Sequence, residues 1–169
     1  MTQQPQFAPA VVERPEQHYV AAREVVTMET IGRVADRLPD VFGFLGARGV
    51  EPVDAPFFKY DVIDMARRLE IEAGVPVAAP VEPAPGLIAG VLPAGRYATV
   101  THVGHPDGLV DVTAALLEWA ADRNLVWDAW DAPEGHAWRC RLEIYRTDPA
   151  TEPDMNRWET QLAFRLADA

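Results

Sequence analysis

One pattern is written twice in this chain, and it limits the fold more than any other feature. Residues 17–26 are rich in β-formers and small side chains and read as a strand. Thr27 and Thr30 then offer helix N-cap chemistry. Ile31, Val34, Leu38, Phe42 and Leu45 recur at three- and four-residue steps, the spacing that lines one face of a helix. Pro39 interrupts that stripe, so a kink or two short helices are expected, ending at Gly46 and Gly49. Residues 56–64, with Phe57, Phe58, Tyr60, Val62 and Ile63, favour a strand. Residues 67–77 alternate Leu69 and Ile71 with Glu70 and Glu72, the pattern of a half-buried strand. The order then recurs. Residues 96–103 alternate as a strand, and Asp107 can cap a helix with the stripe Leu109, Val112, Leu116 and Ala120, Leu117 alongside. Asn124 is a stop signal, and strands follow over 138–146 and 157–166, around a polar loop at 147–156.

The two helix starts lie about 80 residues apart. Each half alone would leave one sheet face uncovered, whereas two halves side by side can share one antiparallel sheet. The expected fold is therefore α+β: a tandem βαββ repeat with two helices on one face and a groove for a ligand. The halves run over about 11–79 and 86–167 of one domain spanning 11–169, with a disordered arm over 1–10. Between them Pro76, Pro80, Pro83, Pro85 and Pro93 mark a linker, with room for a short strand at 87–92.

Charge and composition exclude several functions. A net charge of -11 repels phosphate backbones, so direct nucleic-acid binding is not expected. No apolar run is long enough to cross a bilayer, and the first ten residues lack the pattern of a secretion signal. The single cysteine, Cys140, can form no internal disulfide, which fits a reducing cytoplasm. The chain has no serine, so serine-nucleophile chemistry is excluded. His18, His102, His105 and His136 form no pair with metal-ligand spacing and support, Cys140 is expected on the apolar side of its strand and inert, and the glycines follow no phosphate-binding pattern. No metal and no cofactor is expected. Lys59, the single lysine, lies between Phe58 and Tyr60 and is expected to face solvent.

Four local sequences resemble a known family. Leu92-Pro-Ala-Gly-Arg-Tyr-Ala98 with His102-Val-Gly104 is similar to the glycine-tyrosine signature of the DNA gyrase inhibitor-like small-molecule-binding domains. Leu142-Glu-Ile-Tyr145 followed by Asp148-Pro149 is similar to their glutamate-tyrosine strand. Glu72-Ala-Gly-Val-Pro76 resembles the turn after their third strand, and Trp158-Glu-Thr160 their closing strand. The resemblance extends over about 11–166 and includes the AraC-type effector-binding domains of bacterial transcription regulators. It implies a tandem βαββ fold and, as in the multidrug sensors, a glutamate in an aromatic pocket that contacts lipophilic cations. Some stand-alone relatives hydrolyse cyclopropane-containing genotoxins. With 169 residues the chain resembles the stand-alone type. It departs from the family between Asn124 and Trp138, where the connection is longer and rich in Trp.

Glu143 is the residue on which this resemblance centres. Side chains alternate across a strand. Cys140, Leu142 and Ile144 should therefore meet the helix layer, and Arg141, Glu143 and Tyr145 should point the other way. A carboxylate among aromatic rings is desolvated unless a partner compensates it. A lipophilic cation would be such a partner, with cation–π attraction from the rings. The plainer alternative is an ion pair with Arg141 or Arg139. Tyr60, Tyr97, Tyr145, Phe58, Trp130 and Trp138 complete the expected ligand wall. Trp127 and Trp130 could close a lid or fold back to seal the core, and the sequence leaves both open.

Three functions follow. The first is a domain that senses or sequesters a lipophilic, cationic small molecule. The second is a hydrolase of strained electrophiles in the same cleft, with Glu143 orienting or deprotonating water and Tyr145 donating a proton. The third is an acidic protein-interaction module, with a protein partner or a homodimer. The scattered acids give no concentrated run to support the third.

Overall fold

The structure is a computed structural model describing residues 8–168. Most of the arm expected over 1–10 lies outside the described residues, and Ala10 already opens a strand. The elements in order are β1 (Ala10–Arg14), β2 (Gln17–Val26), α1 (Gly32–Ala35), α2 (Leu38–Ala47), β3 (Phe57–Asp64), β4 (Arg68–Pro76), β5 (Ile88–Leu92) and β6 (Gly95–Val103). They continue with α3 (Leu109–Asp122), β7 (Ala129–Ala132), β8 (Gly135–Trp138), β9 (Arg141–Tyr145) and β10 (Glu159–Arg165). Among the described residues no helix is long and apolar enough to cross a membrane.

The fold is α+β, with every strand pair antiparallel. The sheet runs β1-β6-β10-β9-β3-β4-β2-β5, and a β7–β8 hairpin attaches to the end of β3. The halves therefore meet at its centre, where Phe57–Lys59 pair with Leu142–Ile144. The sheet also curls. β1 and β2 follow one another along the chain, as do β5 and β6, and one register crosses both bends: Ala10 opposite Thr99, Arg14 opposite Gly95, Gln17 opposite Leu92, Ala21 opposite Ile88. This bent ribbon joins the outer parts of the two half-sheets, and the inside of the curl fills with Tyr19, Ala21, Phe57, Leu92, Tyr97, Cys140, Leu142, Ile144 and Ala163.

The helices cover the other face. Ala22, Ala73, Phe58, Glu143, Leu162 and Val100 are successive register partners across the sheet, so their side chains share one face. At one end of that row α2 packs Val41 and Leu45 on Val20, Ala22, Val75 and Val77. At the other α3 packs Leu116 on Ala98, Val100, Leu162 and Phe164. Burying side chains of this size contributes about 1.5–3 kcal/mol each.

Several expectations change. The apolar stripe at 31–45 forms two helices: α1 stops at Ala35, and Pro39 takes the second position of α2, where a missing N–H breaks no helical hydrogen bond. Thr27 and Thr30 bond reciprocally to each other's backbone N–H instead of capping a long helix. Asp107 is no cap; His105 Nδ1 accepts from the Asp107 N–H in a short 3-10 turn ahead of α3. Asn124 does end α3, at a left-handed φ of 57°. β4 is buried along nearly its whole length, because helices cover one face and the curl encloses the other. Cys140, Leu142 and Ile144 face the inside of the curl, not the helix layer, and it is Arg141, Glu143 and Tyr145 that share the helix side. The Trp-rich connection is a hairpin. Trp138 belongs to β8, and Trp127 folds back onto Leu166, Trp138 and Phe164.

Candidate functional site

The centre of the helix-side face lies between the two helical layers. Strands β3 and β9 form its floor there, and their upward side chains are Phe58 and Tyr60, and Arg141, Glu143 and Tyr145. Alternation along each strand dictates this set. α1 closes one side through Ile31 and Val34, against Phe58, Tyr60 and Tyr145. Leu116 and Leu162 flank the other, with Trp127, Trp138 and Phe164 as an aromatic wall.

Glu143 sits low in this groove, deep among protein atoms but only half-buried by its exposed area. Tyr145 donates its hydroxyl proton to Glu143 Oε1 at 2.9 Å. The Tyr60 phenol stands near enough to feel the charge of the same carboxylate. Burial raises the Glu143 carboxyl above its ordinary range, and the two phenols and Arg141 oppose that rise. Burial and the neighbouring carboxylate hold both phenols far above their usual pKa, so they act as donors. Phe58 packs edge-on against Tyr145, with centroids 4.9 Å apart. Among the described residues Glu143 has no ion pair: neither Arg141 nor Arg139 reaches it.

Arg141 is a functional candidate that sequence reasoning passed over as an ion-pair partner. Its guanidinium lies 4.5 Å from the Phe164 ring centroid and 4.7 Å from that of Trp138. Burial lowers its pKa to about 10. The signal was present, since alternation puts Arg141 on the same face as Glu143. The missing information was where the rings stand.

Glu143, Tyr145, Tyr60 and Phe58 thus come together, and Trp138 joins them through Arg141. Two expected wall residues do not. Tyr97 is on the inside of the curl, buried, with its hydroxyl donating to the Pro93 carbonyl at 2.6 Å. Trp130 pairs with Ala137, and Ala137 with Val62, which places it on the opposite face of the hairpin from Trp138. Its ring is 47% exposed and meets the Arg139 guanidinium.

Lys59 does not face solvent. It is buried inside the curl with its ammonium on Asp61 and, at 3.2 Å, on Glu72 Oε2. Tyr19 donates to Glu72 Oε1 at 2.6 Å. A β-bulge between Tyr60 and Val62 makes room for Asp61 in this cluster. Among the described residues no group of three or more His, Cys, Asp or Glu side chains is arranged to hold a metal ion. His102 Nε2 meets the His105 carbonyl at 2.9 Å, a turn contact. A cavity of about 300 Å³ at the end of α3, lined by Arg96, Asn124 and Asp168 among others, contains none of the groove residues.

Solved structures share this fold. Nothing among the curated proteins matches the chain. Among solved structures, EcmrR in its complex with DNA superposes at a TM-score of 0.77 and 19% identity, over 96% of this chain and 58% of that one. The chain therefore spans a little over half of that relative's length. The EcmrR C-terminal domain alone gives 0.75 and 18%, over 96% and 99%. A hydrolase from Listeria innocua gives 0.65 and 14%, over 97% and 94%. SAV2435 bound to tetraphenylphosphonium gives 0.61 and 8%, over 95% and 94%. At these identities the likeness is one of fold. The sequence itself matches the model of the GyrI-like small molecule binding domain over residues 7–167, nearly the whole chain. With that match, this chain belongs to the GyrI-like small molecule binding domain family.

Proposed function

We propose that the groove between the helices binds a flat, mostly apolar molecule carrying a positive charge, and that the chain senses or sequesters it unchanged. The observation that carries this reading is the state of Glu143. It is a carboxylate at the bottom of an aromatic groove, held by a phenol donor and matched by no cation among the described residues. A bound cation would restore the interaction that burial removes, and Phe58, Tyr60 and Tyr145 would add ring faces. The family's ligand-binding role and the tetraphenylphosphonium bound to SAV2435 support the same choice.

Tryptophan fluorescence tests it, because Trp138 stands beside the groove. Saturable quenching by tetraphenylphosphonium is expected, with ligand recovered intact. Glu143→Gln should weaken binding about tenfold or more, as expected for a charge-assisted contact. Undiminished affinity in that variant would sink the role given to Glu143.

A second reading is hydrolysis in the same groove, favoured by the hydrogen bond from Tyr145 to a carboxylate of raised pKa and by the Listeria innocua relative. Mass spectrometry separates the two readings: product from a strained electrophile, absent with Glu143→Gln, would make the chain an enzyme.

A further inference from the structure

Arg141 is the one cation of the groove floor, and the groove leaves its donors unused. Among the described residues its guanidinium makes no hydrogen bond and no ion pair. The contrast with Arg165 is direct. That guanidinium is more deeply buried, and it is saturated by Asp128 at 2.6 Å, Asp168 at 3.1 Å and the Ala94 carbonyl at 2.8 Å. Nor is Arg141 an exposed solvated head, since it is half-buried and burial depresses its pKa.

The rings around it explain what remains available. Trp138 and Phe164 lie within stacking distance of the guanidinium carbon. An aromatic face holds a planar guanidinium through its flat side, but it accepts none of the in-plane N–H bonds. Those bonds are the fork that matches a carboxylate. The indole N–H of Trp138, in the same wall, is also buried without an acceptor among the described residues. The groove thus places an unpaired, half-buried fork of donors two strand positions from a half-buried carboxylate, about 7 Å along the floor. The two do not neutralise each other, because no ion pair forms between Arg141 and Glu143.

We propose that Arg141 is the specificity-determining residue of this groove: it takes an acidic group of the ligand while Glu143 takes the cationic one, so the preferred ligand class is an aromatic zwitterion and not a bare lipophilic cation. This rests on the groove being the binding site, and it adds a requirement that the cation reading lacks. A bare cation would bring its charge up to an unpaired guanidinium, and the like charges would repel. A zwitterion satisfies both groups and leaves no net charge buried.

A matched dye pair tests the proposal. Rhodamine 110 carries a free carboxylate beside its cationic ring system, and rhodamine 123 is its methyl ester, a simple cation. Fluorescence anisotropy of each against the wild-type chain should show the acid bound about tenfold more tightly, the factor for a charge-assisted pair. Arg141→Met should abolish that preference by weakening the acid alone, and Arg141→Lys should keep part of it. Glu143→Gln should weaken both dyes. An ester bound as tightly as the acid by the wild-type chain, or a preference that survives in Arg141→Met, overturns the proposal and leaves the cation reading standing. Binding of neither dye nor tetraphenylphosphonium by the folded wild-type chain overturns the groove reading itself. If Arg141→Met does not fold, the wild-type comparison of acid with ester still decides.

Discussion

Asp61 shows how much a single buried charge depends on its neighbours. Its carboxyl is pushed up to about 8, first by burial and then by the adjacent Glu72, while Lys59 opposes the rise. Glu72 moves the other way, held down by Asp61, Lys59 and Tyr19 against its own burial. The two carboxylates thus move apart, Asp61 favouring its protonated form and Glu72 its ionised form beside the Lys59 ammonium. A folded-state pKa above the ordinary value gives stability that is present at low pH and is lost as pH rises toward 8. Glu72 adds no slope there, because it is ionised in both states. Urea unfolding should thus show the chain losing stability from pH 6 to pH 8, at most about 1.4 kcal/mol per pH unit from this group. Asp61→Asn should remove that slope, and an unchanged slope would refute the assignment. The cluster was hidden from sequence reasoning for a definite reason. Lys59 between Phe58 and Tyr60 reads as the outward position of a one-sided sheet, and nothing local to β3 announces that its second face lies inside a curl. Glu143 and Tyr145 were legible, because a carboxylate two positions from a tyrosine on a strand shares a face with it. Arg141 was legible as to its face. Its lack of a partner was not, since that depends on where Trp138 and Phe164 stand.

At the scale of elements, periodicity found the long pieces and missed the short ones. β2 was read with its observed bounds, and the break at Pro39 was readable from the missing N–H alone. The β7–β8 hairpin was not: each strand has four residues, too few for alternation to stand out. Its position is fixed by tertiary contact, with Ala137 and His136 paired to Val62 and Ile63. Gly135 shows how tight that attachment is. It sits at a φ of +143°, and a Cβ there would come within 2.8 Å of the Ile63 carbonyl oxygen. Gly135→Ala should lift the hairpin from β3 and cost about 2 kcal/mol in urea unfolding, combining backbone strain with the clash. A change below about 0.5 kcal/mol would mean that the hairpin is held by Trp138 and Trp127 alone.

For the whole molecule, the tandem pattern gave the right class of sheet but the wrong assignment of its faces. Alternation establishes which side chains share a face. It cannot say which face the helices cover, and here both faces are buried, so Cys140, Leu142 and Ile144 line the curl and leave Glu143 to the helix side. The same topology makes a strong statement about cooperativity. The β2–β4 part of the sheet and the β6, β9 and β10 part meet twice: at the β3–β9 seam, and through the bent ribbon of β1, β2, β5 and β6. Loosening one half exposes strand edges of the other, so both are expected to unfold as one unit. All five tryptophans lie in the second half, from Trp119 to Trp158, so their fluorescence reports that half alone. Leu45 lies in α2 of the first half, buried against Val20 and Val75. Leu45→Ala should cost about 3 kcal/mol. If the halves are one unit, that loss must appear undiminished in the tryptophan signal, with the fluorescence and far-ultraviolet circular dichroism midpoints moving together in urea. A fluorescence midpoint that stays put while the dichroism transition broadens would show two units. The groove, whose floor joins the halves at β3 and β9, would then be formed only when both are folded.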